Sequence, residues 1–507
     1  MIPVLSAPAI REVDRRTIEE EPIGSLALME RAAAAFTRRF TERMAAHGEG
    51  RPTVLVIAGM GNNGGDGLAV ARMLHQQGWP VRAVRVRHGA EPSDDHAANW
   101  AAAAEAGVPL RECADGAFQV DVGTEVLVDA LFGTGLNAPL QGAAAHAVGI
   151  MNGSGLPIVA VDMPSGLFAE DNTDHEGRAI VRATLTLSFQ VPKLAFFLAE
   201  SAPYLGDWEL LDIGLSPVAL ASQRTAFHLL QTADVRAFLR PRARFDHKGR
   251  YGHALLVAGS EGMMGAAVLA SAAAVRSGCG LVTVHAPAAG GPILQSAVPE
   301  AMLSPDRAAD YVTALPELVD YAAIGLGPGL RATDDTAAVL SDLLHRSTCP
   351  VVIDADGLNA LALHHGLWSH LGARMVLTPH PGEFDRLAGQ SHPSGFQRLQ
   401  AARAFAQQHG CTVVLKGAFT AVCAPDGLVV FNGTGNPGMA KGGSGDALTG
   451  LLTGLLAQGL PVGQAAMVGV HLHGLAGDIA AARLSAQGMT AGDLVAALPE
   501  AWRQLVG

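Results

Sequence analysis

Short apolar runs alternate with Ala- and Leu-rich amphipathic stretches along almost the whole chain, and glycines mark many of the junctions. Apolar runs of this kind are typical of parallel strands that are buried on both faces and covered by helices. The pattern therefore predicts two α/β series, one in each half of the chain. The predicted strands are 53–58, 81–86, 125–130, 157–162 and 183–189 in the first half, and 253–259, 281–284, 322–325, 351–354, 375–378 and 412–416 in the second.

The segments around these strands predict how the chain is divided. A helical segment containing Asp14 and Leu28-Met29-Glu30 precedes the first series, and the last third, from Asp446 onward, is predicted to be helical. Residues 215–250 show no clear strand and include a basic cluster at 240–244. At 507 residues the chain exceeds the roughly 250–300 at which single cores stop growing. We therefore predict two different domains, 1–224 and 225–507, which do not repeat one another's motifs.

Charge and cysteine content narrow the classes of partner and compartment. The net charge of −12, from 35 Lys and Arg against 47 Asp and Glu, disfavours binding to a nucleic-acid backbone. The five cysteines form no CxxC pair and cannot all close into internal disulfides, which favours a reducing compartment. The N-terminus lacks the features of a signal peptide, and no apolar run reaches the length of a membrane span. We expect a soluble cytoplasmic protein with no nucleic-acid or membrane partner; a homo-oligomer is compatible with the sequence.

The first predicted strand runs into the Gly-rich segment 59–67 and then into a helix predicted from Leu68 to Gln77. This contains G-x-G-x-x-G, a weak dinucleotide signal, but the acidic residue expected about 20 positions later is replaced by the arginines of 82–87. An NAD dehydrogenase is therefore disfavoured, although an arginine could meet a 2′-phosphate. One polar residue in such a turn would suggest a helix cap, but Asn62, Asn63 and Asp66 beside five glycines indicate ligand contact.

Two further loops, 129–136 and 162–166, follow predicted strands of the same sheet. Ligands of open α/β sheets bind at the carboxyl ends of the strands, so these loops should lie near the first Gly-rich segment. Asn63, Asp129 and Ser165 all lie on these segments. Their oxygen atoms would suit a hard monovalent or divalent cation.

A second Gly-rich segment, Gly-Gly-Ser-Gly-Asp at 442–446, stands before an apolar helix predicted from Ala447 to Leu456. Glycines at a helix N-terminus leave N–H groups free to surround a developing phosphate charge, and the helix dipole adds to their field. Asp446, at the edge of this anion hole, can accept the proton of an attacking hydroxyl, as phosphoryl transfer requires. The competing interpretation is that Asp446 only caps the helix. No P-loop sequence follows a strand.

Four motifs of the first half together resemble the epimerase domain of the NAD(P)H-hydrate repair enzymes over about residues 1–215. They are Gly-Asn-Asn-Gly-Gly-Asp-Gly at 61–67, Asp129 with Phe-Gly-Thr-Gly at 132–135, Asp162 with Pro-Ser-Gly at 164–166, and Val-Pro-Lys at 191–193. The resemblance implies a Rossmann-like three-layer α/β domain that interconverts the R and S hydrates of NADH or NADPH. It implies a potassium ion at Asn63, Asp129 and Ser165, and Asp162 as the acid/base. The implied substrate contacts are Asn62, Asn63, Gly64, Gly65, Asp66, Gly133, Thr134, Gly135, Leu136, Asn137, Ala138, Pro139 and Asp162.

The second half resembles the ribokinase-like superfamily and, within it, the ADP-dependent NAD(P)H-hydrate dehydratase domain over about residues 225–507. The motifs are Tyr-Gly-His at 251–253, Gly-Leu-Gly-Pro-Gly at 325–329, Asp-Ala-Asp at 354–356, Thr-Pro-His-Pro-Gly-Glu at 378–383 and Leu-Lys-Gly at 415–417. The resemblance implies an α/β/α domain in which Ala266, Gly329, His380 and Asp446 contact the substrate. The implied nucleotide contacts are Lys416, Gly417, Ala418, Phe419, Thr420, Gly442, Gly443, Ser444 and Gly445. Lys441 stands where many relatives carry Thr, and a phosphate contact by this lysine stays open.

The implied dehydration begins when Asp446 takes the proton of the C6 hydroxyl of the S hydrate, so that this oxygen attacks the terminal phosphate of ADP. Loss of phosphate, assisted by the ring nitrogen, restores NAD(P)H and leaves AMP, with a magnesium ion on the nucleotide phosphates. Nothing at 416–420 excludes ATP. Two alternatives stay open: a small-molecule kinase of vitamin or sugar type with a dinucleotide-binding N-terminal domain, and an N-terminal half that binds without turnover.

Overall fold

The computed structural model describes residues 1–46, 50–89 and 91–507, and these residues form two compact units. The N-terminal unit is Pro3–Thr225. The C-terminal unit is Ala226–Gly507 together with Met1–Ile2. Each unit contains one large sheet whose central strands are parallel.

The N-terminal unit is built on a seven-stranded sheet in which all neighbouring strands are parallel. The chain opens with β1 (Ile2–Pro3), which lies at the edge of the other, C-terminal sheet. The elements that follow are α1 (Ala7–Glu20), α2 (Ser25–Ala45), β2 (Val54–Ala58), α3 (Asn62–Gln76), β3 (Val81–Val86), α4 (Asp94–Glu105), β4 (Leu110–Cys113), β5 (Val126–Ala130), α5 (Gly142–Gly153), β6 (Ile158–Val161), β7 (Leu185–Phe189), α6 (Ala202–Leu205), β8 (Asp207–Leu211) and α7 (Pro217–Ser222). The strand order is β4-β3-β2-β5-β6-β7-β8.

The C-terminal unit is built on an eleven-stranded sheet. Its elements are β9 (Phe227–Leu229), α8 (Thr232–Phe238), β10 (His253–Val257), α9 (Met264–Arg276), β11 (Leu281–Ala286), α10 (Gly291–Ala297), β12 (Met302–Pro305), β13 (Ala323–Leu326), α11 (Asp334–Arg346), β14 (Val351–Ile353), α12 (Ala355–Leu363), β15 (Met375–Leu377), α13 (Pro381–Leu387), α14 (Gly395–His409), β16 (Thr412–Leu415), β17 (Ala421–Cys423), β18 (Val429–Phe431), α15 (Ser444–Ala457), α16 (Val462–Leu484) and α17 (Ala491–Val506). The order is β1-β9-β18-β17-β16-β15-β14-β13-β10-β11-β12, and only the β16-β17 and β17-β18 pairs are antiparallel among the registers described.

Both sheets reverse their strand order at the point where ligands of open α/β sheets bind. In the N-terminal unit the reversal lies between β2 and β5, two strands that are buried at every position. In the C-terminal unit it lies between β10 and β13, against which α15 packs. The segments that leave β2, β5 and β13 carry three of the motifs found in the sequence, at 59–67, 129–136 and 325–329.

The strands predicted from apolar runs are confirmed, with ends that move by only one or two residues. The expectation that 215–250 contains no strand is wrong, because β9 lies at Phe227–Leu229 and pairs in parallel with β18. A strand of three residues leaves little pattern in the sequence, and its place depends on a partner about 200 positions away in the chain. The edge strands β4 and β8 of the N-terminal sheet were also not predicted; both contain exposed or half-exposed positions and so lack a continuous apolar run.

The two Gly-rich segments begin helices earlier than predicted. α3 starts at Asn62 instead of Leu68, and α15 starts at Ser444 instead of Ala447. Glycine normally disfavours a helix. At position 64, however, close packing allows no larger residue, because a Cβ atom there would lie 2.2 Å from the carbonyl oxygen of Gly59. The polar residues of both segments therefore project from the first turn of a helix, where N–H groups are free.

The helix α16 corrects one expectation about membrane spans. Among the described residues it is the one helix long and apolar enough to cross a membrane by length and composition. Its apolar window is 78% buried inside the fold, as in the core helix of a globular domain. Burial on all sides explains why its sequence is apolar around its whole circumference.

Candidate active sites

The N-terminal unit contains a cavity of about 510 Å³ at the carboxyl ends of β2 and β5. The predicted contacts in its wall are Asn62, Asn63, Asp66, Gly133, Thr134, Gly135, Leu136 and Asp162. Gly64 and Gly65 instead lie in the buried part of α3, where they pack against Gly59 and Met29. Asn137, Ala138 and Pro139 follow the wall segment and do not line the cavity.

The three predicted cation ligands surround the segment that follows β5. The Asp129 carboxylate is fully buried and accepts hydrogen bonds from the Ser165 hydroxyl at 2.6 Å and the Ser165 N–H at 2.7 Å. The Ser165 hydroxyl oxygen also accepts from the Phe132 N–H at 2.8 Å. The side chain of Asn63 reaches Gly133, and its buried amide nitrogen has no hydrogen-bond partner. Burial raises the pKa of Asp129 to about 6, against the lowering effect of its hydrogen bonds.

Asp162 is fixed at the cavity wall by a strained backbone and a buried lysine. Its φ of 65° lies in the left-handed region, which is costly for a residue other than glycine. Its Oδ1 atom accepts hydrogen bonds from the Lys193 ammonium at 2.5 Å, the Phe189 N–H at 3.0 Å and the Ser188 hydroxyl at 3.2 Å. Lys193 is only 1% exposed. These donors all bind Oδ1 and leave Oδ2 of Asp162 without a donor among the described residues.

Two partly buried carboxyl groups also line this cavity, Asp14 on α1 and Asp66 on α3, whereas Glu91, which lines it too, is exposed. No hydrogen-bond partner of either carboxyl occurs in the described part of the chain. Burial, with the charge of Asp162 added, raises the pKa of Asp14 to about 6. Burial and the charges of Asp162 and Asp14 raise the pKa of Asp66 well above its usual range. Burial and the neighbouring carboxyl charges therefore favour the protonated form of both Asp14 and Asp66.

In the C-terminal unit, the segment 442–446 forms the N-terminal turn of α15. Gly443 caps the helix with a φ of 95°, and a Cβ atom there would lie 2.5 Å from a methyl group of Leu269 on α9. Asp446 projects from this first turn, and its carboxyl has no hydrogen-bond partner among the described residues. Burial raises the pKa of Asp446 to about 6; the charge of Asp354 adds to this, and that of Lys416 opposes it.

Lys416 connects the other motifs at this site. Its ammonium lies 3.0 Å from Oδ1 of Asp354 and 3.5 Å from Oε2 of Glu383. Thr449, on α15, donates a hydrogen bond of 2.7 Å to Oδ2 of Asp354. A Cβ atom at Gly445 would lie 3.4 Å from the ammonium, which places this charge beside the first turn of α15. Burial works to lower the pKa of Lys416, but the two carboxylates outweigh it and the pKa is raised.

The remaining predicted contacts lie on loops around this centre. Ala266 is on the first turn of α9, and Gly329 packs against it while its carbonyl accepts a 2.8 Å hydrogen bond from Ser260. Gly417 and Ala418, which follow Lys416, are exposed, and Thr420 closes the turn with a 3.3 Å hydrogen bond to the Gly417 carbonyl. Phe419 is partly exposed in the same loop, and Ser444 is buried at the base of α15.

His380 and Lys441 have structural partners that the sequence did not reveal. Nδ1 of His380 accepts from the N–H groups of Gly382 and Glu383, and Glu383 accepts from the His380 N–H, so the pair forms a capping box on α13. The imidazole is still 51% exposed and its Nε2 lies 3.5 Å from Glu383. The ammonium of Lys441 donates at 2.6 Å to the carbonyls of Gln487 and Met489, which assigns it to loop anchoring.

Several residues of these sites were not found by sequence reasoning. Asp354 and Lys193 lay inside motifs that had been noted, but nothing in the spacing gave them a partner. Asp14 lies in a helix whose many charged residues predict exposure to solvent, and Thr449 lies in an apolar helix, so neither was expected at a site. His473, on α16, is neutral because burial lowers its pKa to about 4, and its Nε2 hydrogen-bonds the Ser444 carbonyl at 2.9 Å. Only tertiary structure brings these side chains to the sites.

Known proteins match both halves of the chain. Residues 254–500 match the family described as NAD(P)H-hydrate dehydratase, and residues 25–195 match the family described as YjeF-related protein N-terminus. A bifunctional NAD(P)H-hydrate repair enzyme of Moorella thermoacetica is 36% identical over 519 residues, which cover 99% of this chain and 97% of that protein. The chain belongs to the family of bifunctional NAD(P)H-hydrate repair enzymes. The resemblance drawn from the motifs is thereby confirmed.

A second relative and one solved structure support this assignment. The bifunctional NAD(P)H-hydrate repair enzyme of Escherichia coli K12 is 34% identical over 446 residues, which cover 88% of this chain and 84% of that protein. A ribokinase-like superfamily protein of Enterococcus faecalis V583 has a TM-score of 0.50 and 26% identity, covering 56% of this chain and 98% of its own. The predicted α/β fold class is confirmed. The alternative of a vitamin- or sugar-type kinase is not favoured.

Proposed function

We propose that this family member repairs hydrated NADH and NADPH at two separate sites. The N-terminal unit, expected as domain 1–224, interconverts the R and S hydrates. The C-terminal unit, expected as domain 225–507, dehydrates the S hydrate with ADP and releases AMP and phosphate. The observation that carries the proposal is the unpaired Asp446 carboxyl, which projects from the N-terminal turn of α15 beside the Lys416 ammonium. A base and an anion hole at one point are what transfer of phosphate to a hydroxyl requires.

The dehydration then follows from these groups. The Asp446 carboxylate takes the proton of the C6 hydroxyl, whose oxygen bonds to the terminal phosphorus of ADP while the bond to the AMP oxygen breaks. The N–H groups of α15 and the Lys416 ammonium stabilise the phosphoryl charge. The ring nitrogen lone pair next expels phosphate, and the C5 proton passes to water, which restores the dihydropyridine. The nucleotide would lie along Lys416, Gly417, Ala418, Phe419 and Thr420, with the phosphates toward Gly442, Gly443, Ser444 and Gly445.

The C-terminal site suits a magnesium ion held mainly by the nucleotide. Mg²⁺ in nucleotide sites usually keeps several water ligands and takes only one or two carboxylates from the protein. The C-terminal site fits this, because no group of three or more His, Cys, Asp or Glu able to hold a metal occurs among the described residues. Glu383 is the carboxylate here that could hold it, directly or through water, so that Asp446 stays available as the base. When bound, the ion neutralises phosphate charge.

The N-terminal unit suits a potassium ion at Asn63, Asp129 and Ser165. Carboxylate, amide and hydroxyl oxygens are the donors that hard cations prefer. The unpartnered amide nitrogen of Asn63 supports this, because half a turn of the carboxamide would present its oxygen there instead. When bound, potassium would supply positive charge beside the cavity. Because the Asn63 side chain reaches Gly133, a potassium ion at this site would hold the wall segment around Gly133 in position beside the substrate.

The proposed function is tested with a mixture of both hydrates, magnesium, and ADP or ATP in parallel. We expect complete conversion to NAD(P)H with ADP, together with one AMP and one phosphate for each turnover. The R hydrate should be consumed only as fast as it is converted into the S hydrate. A stable phosphorylated alcohol would instead support a kinase, and absence of NAD(P)H with both nucleotides would refute the proposal.

Removal of potassium should slow epimer exchange without affecting dehydration. Replacing potassium by tetramethylammonium at equal ionic strength should lower the R-to-S exchange rate about 10- to 100-fold, the cost typical of a perturbed metal environment. Asn63→Leu should show the low rate in both salts, because its side chain has lost the oxygen ligand. Exchange is followed by chromatographic separation of the epimers, with dehydration of the S hydrate as the internal control. Equal exchange rates in both salts would contradict the potassium site.

A further inference from the structure

The epimerase cavity contains more carboxyl groups than its positive charge can balance. Asp14, Asp66 and Asp162 come from three different elements, and Lys193 is paired with Asp162 alone. The remaining charged or titratable residues of the wall are Arg11, His88 and Glu91. Burial lowers the pKa of His88, so this imidazole is neutral near pH 7. Two partly buried carboxyl groups, Asp14 and Asp66, therefore face the cavity without an ionic partner among the described residues; Glu91 has none there either but is exposed.

The three carboxyl groups differ in what holds them. Asp162 receives three hydrogen bonds on Oδ1, including one from an ammonium, and these hold its side chain in place. Asp14 and Asp66 receive none within the described part of the chain. An unpaired carboxyl removed from water costs stability, and such groups occur mainly where chemistry requires them. Burial and the neighbouring carboxyl charges raise the pKa of Asp66 well above its usual range and that of Asp14 to about 6.

We propose that Asp14 and Asp66 form the proton-transfer pair of the epimerase site, while Asp162, held by Lys193, stabilises the positive charge that develops on the substrate ring. This inference rests on the proposed epimerase function of the N-terminal unit. It assigns a catalytic role to Asp14, which no motif indicated. It also changes the expected role of Asp162 from acid/base to electrostatic stabiliser. Pairs of titratable groups with separated pKa values are the usual arrangement for acid and base roles at one site.

The exchange of epimers then needs no external reactant except water. The Asp66 carboxylic acid protonates the C6 hydroxyl, and the C6–O bond breaks so that its electron pair leaves with water. The ring nitrogen lone pair forms the N1=C6 double bond, and the planar cation lies against the Asp162 carboxylate. Water adds to the opposite face of C6 and gives its proton to the Asp14 carboxylate. The opposite epimer results, Asp14 is protonated and Asp66 ionised, and the reverse reaction uses the two residues in exchanged roles.

The decisive variant is Asp14→Asn, with Glu12→Gln as the matched control. Glu12 is on the same helix, is paired with Arg15 and lies outside the cavity wall. Starting from the purified R hydrate without nucleotide, Asp14→Asn should lower the exchange rate about 10²- to 10⁴-fold, the usual contribution of acid–base catalysis. The wild-type and Glu12→Gln rates, corrected for background, should fall below about pH 6, where Asp14 becomes protonated. Asp14→Asn should lack this pH dependence.

Two further measurements separate a catalytic role from a structural one. A carboxyl whose pKa is raised in the folded state destabilises the fold above that pKa and ceases to do so below its unfolded value. Asp14→Asn should therefore unfold at a higher temperature than the wild type at pH 8, and this difference should disappear near pH 4. In water labelled with ¹⁸O, each epimerised molecule should carry one labelled C6 hydroxyl.

The outcomes distinguish the inference from the function beneath it. If the wild type does not accelerate exchange, the proposed epimerase function is refuted. If the wild type is active and Asp14→Asn keeps its rate and pH dependence, the role of Asp14 is refuted. Loss of exchange together with lower stability at pH 8, or with loss of S-hydrate dehydration, would show a structural role and also overturn it. Exchange without the label would overturn cleavage of the C6–O bond.

Discussion

Asp446→Asn should abolish ADP-dependent dehydration while exchange between the R and S hydrates continues at the wild-type rate. Asparagine keeps the size of the side chain but cannot accept the proton of the C6 hydroxyl. Because this proton transfer accompanies attack on phosphate, we expect a loss of about 10²- to 10⁴-fold in the dehydration rate. NAD(P)H formation from the S hydrate, followed by its absorbance, measures the first activity, and separation of the epimers measures the second.

Asp335→Asn is the matched control for this variant. Asp335 is also an acidic residue in the first turn of a helix, α11, but it is exposed and lies outside both sites. The two variants lose the same favourable charge at a helix N-terminus, so a difference between them reports the chemistry and not the helix dipole. Comparable dehydration rates in both variants, or loss of epimer exchange in Asp446→Asn, would contradict two separate sites with Asp446 as base.

The pH dependence of dehydration should report the same group. The pKa of Asp446 is raised to about 6, chiefly by burial, and the base is active only when ionised. The dehydration rate at saturating ADP should therefore fall as the pH decreases through about 6. A wild-type rate that stays constant from pH 8 to about 5 would show that another group accepts the proton.

A strand could be predicted from the sequence wherever its own residues form a continuous apolar run. β2 and β5 are buried at every position, and their apolar runs show this directly. The start of α3 could not be predicted in this way. Its glycines suggest a turn in the sequence, but in the fold they allow Gly64 to pack closely on Gly59. β9 has only three residues, and its extended conformation depends on pairing with β18. Tertiary contacts decided both cases.

The candidate sites divide in the same way. Asp446 and Asp162 were identified because each stands at a glycine-rich or proline-rich break that follows a strand or starts a helix. Their partners were not, since Lys193 follows Asp162 by 31 positions and Lys416 follows Asp354 by 62. Asp14 gave no signal, because a charged amphipathic helix has the same sequence pattern whether or not one acidic residue faces a cavity. Pairing across the fold is the information that a single sequence lacks.

Lys416→Met should lower the thermal stability of the C-terminal unit and its affinity for ADP, because it removes the cation between two carboxylates as well as the proposed nucleotide contact. Lys416 is 21% exposed, whereas Asp354 is almost fully buried. Removing one partner of a buried ion pair costs about 3–5 kcal/mol, and partial exposure of Lys416 places this site at the lower end. Loss of the charged hydrogen bonds to phosphate should also weaken ADP binding, by roughly 10- to 100-fold.

The sign of the pH dependence tests this explanation. Lys416→Met leaves Asp354 and Glu383 without their shared cation, so the loss of stability should be full at pH 8 and decrease in acid, where the ion pairs of the wild type are lost as well. Thermal unfolding at pH 8 and at acid pH measures the loss of stability, and the same measurement with and without ADP measures the loss of nucleotide binding. Lys248→Met is the control, because Lys248 is exposed and outside the sites. Equal unfolding temperatures for the Lys416→Met protein and the wild type at pH 8 would refute the ion-pair argument. An unchanged shift with ADP would refute the nucleotide contact.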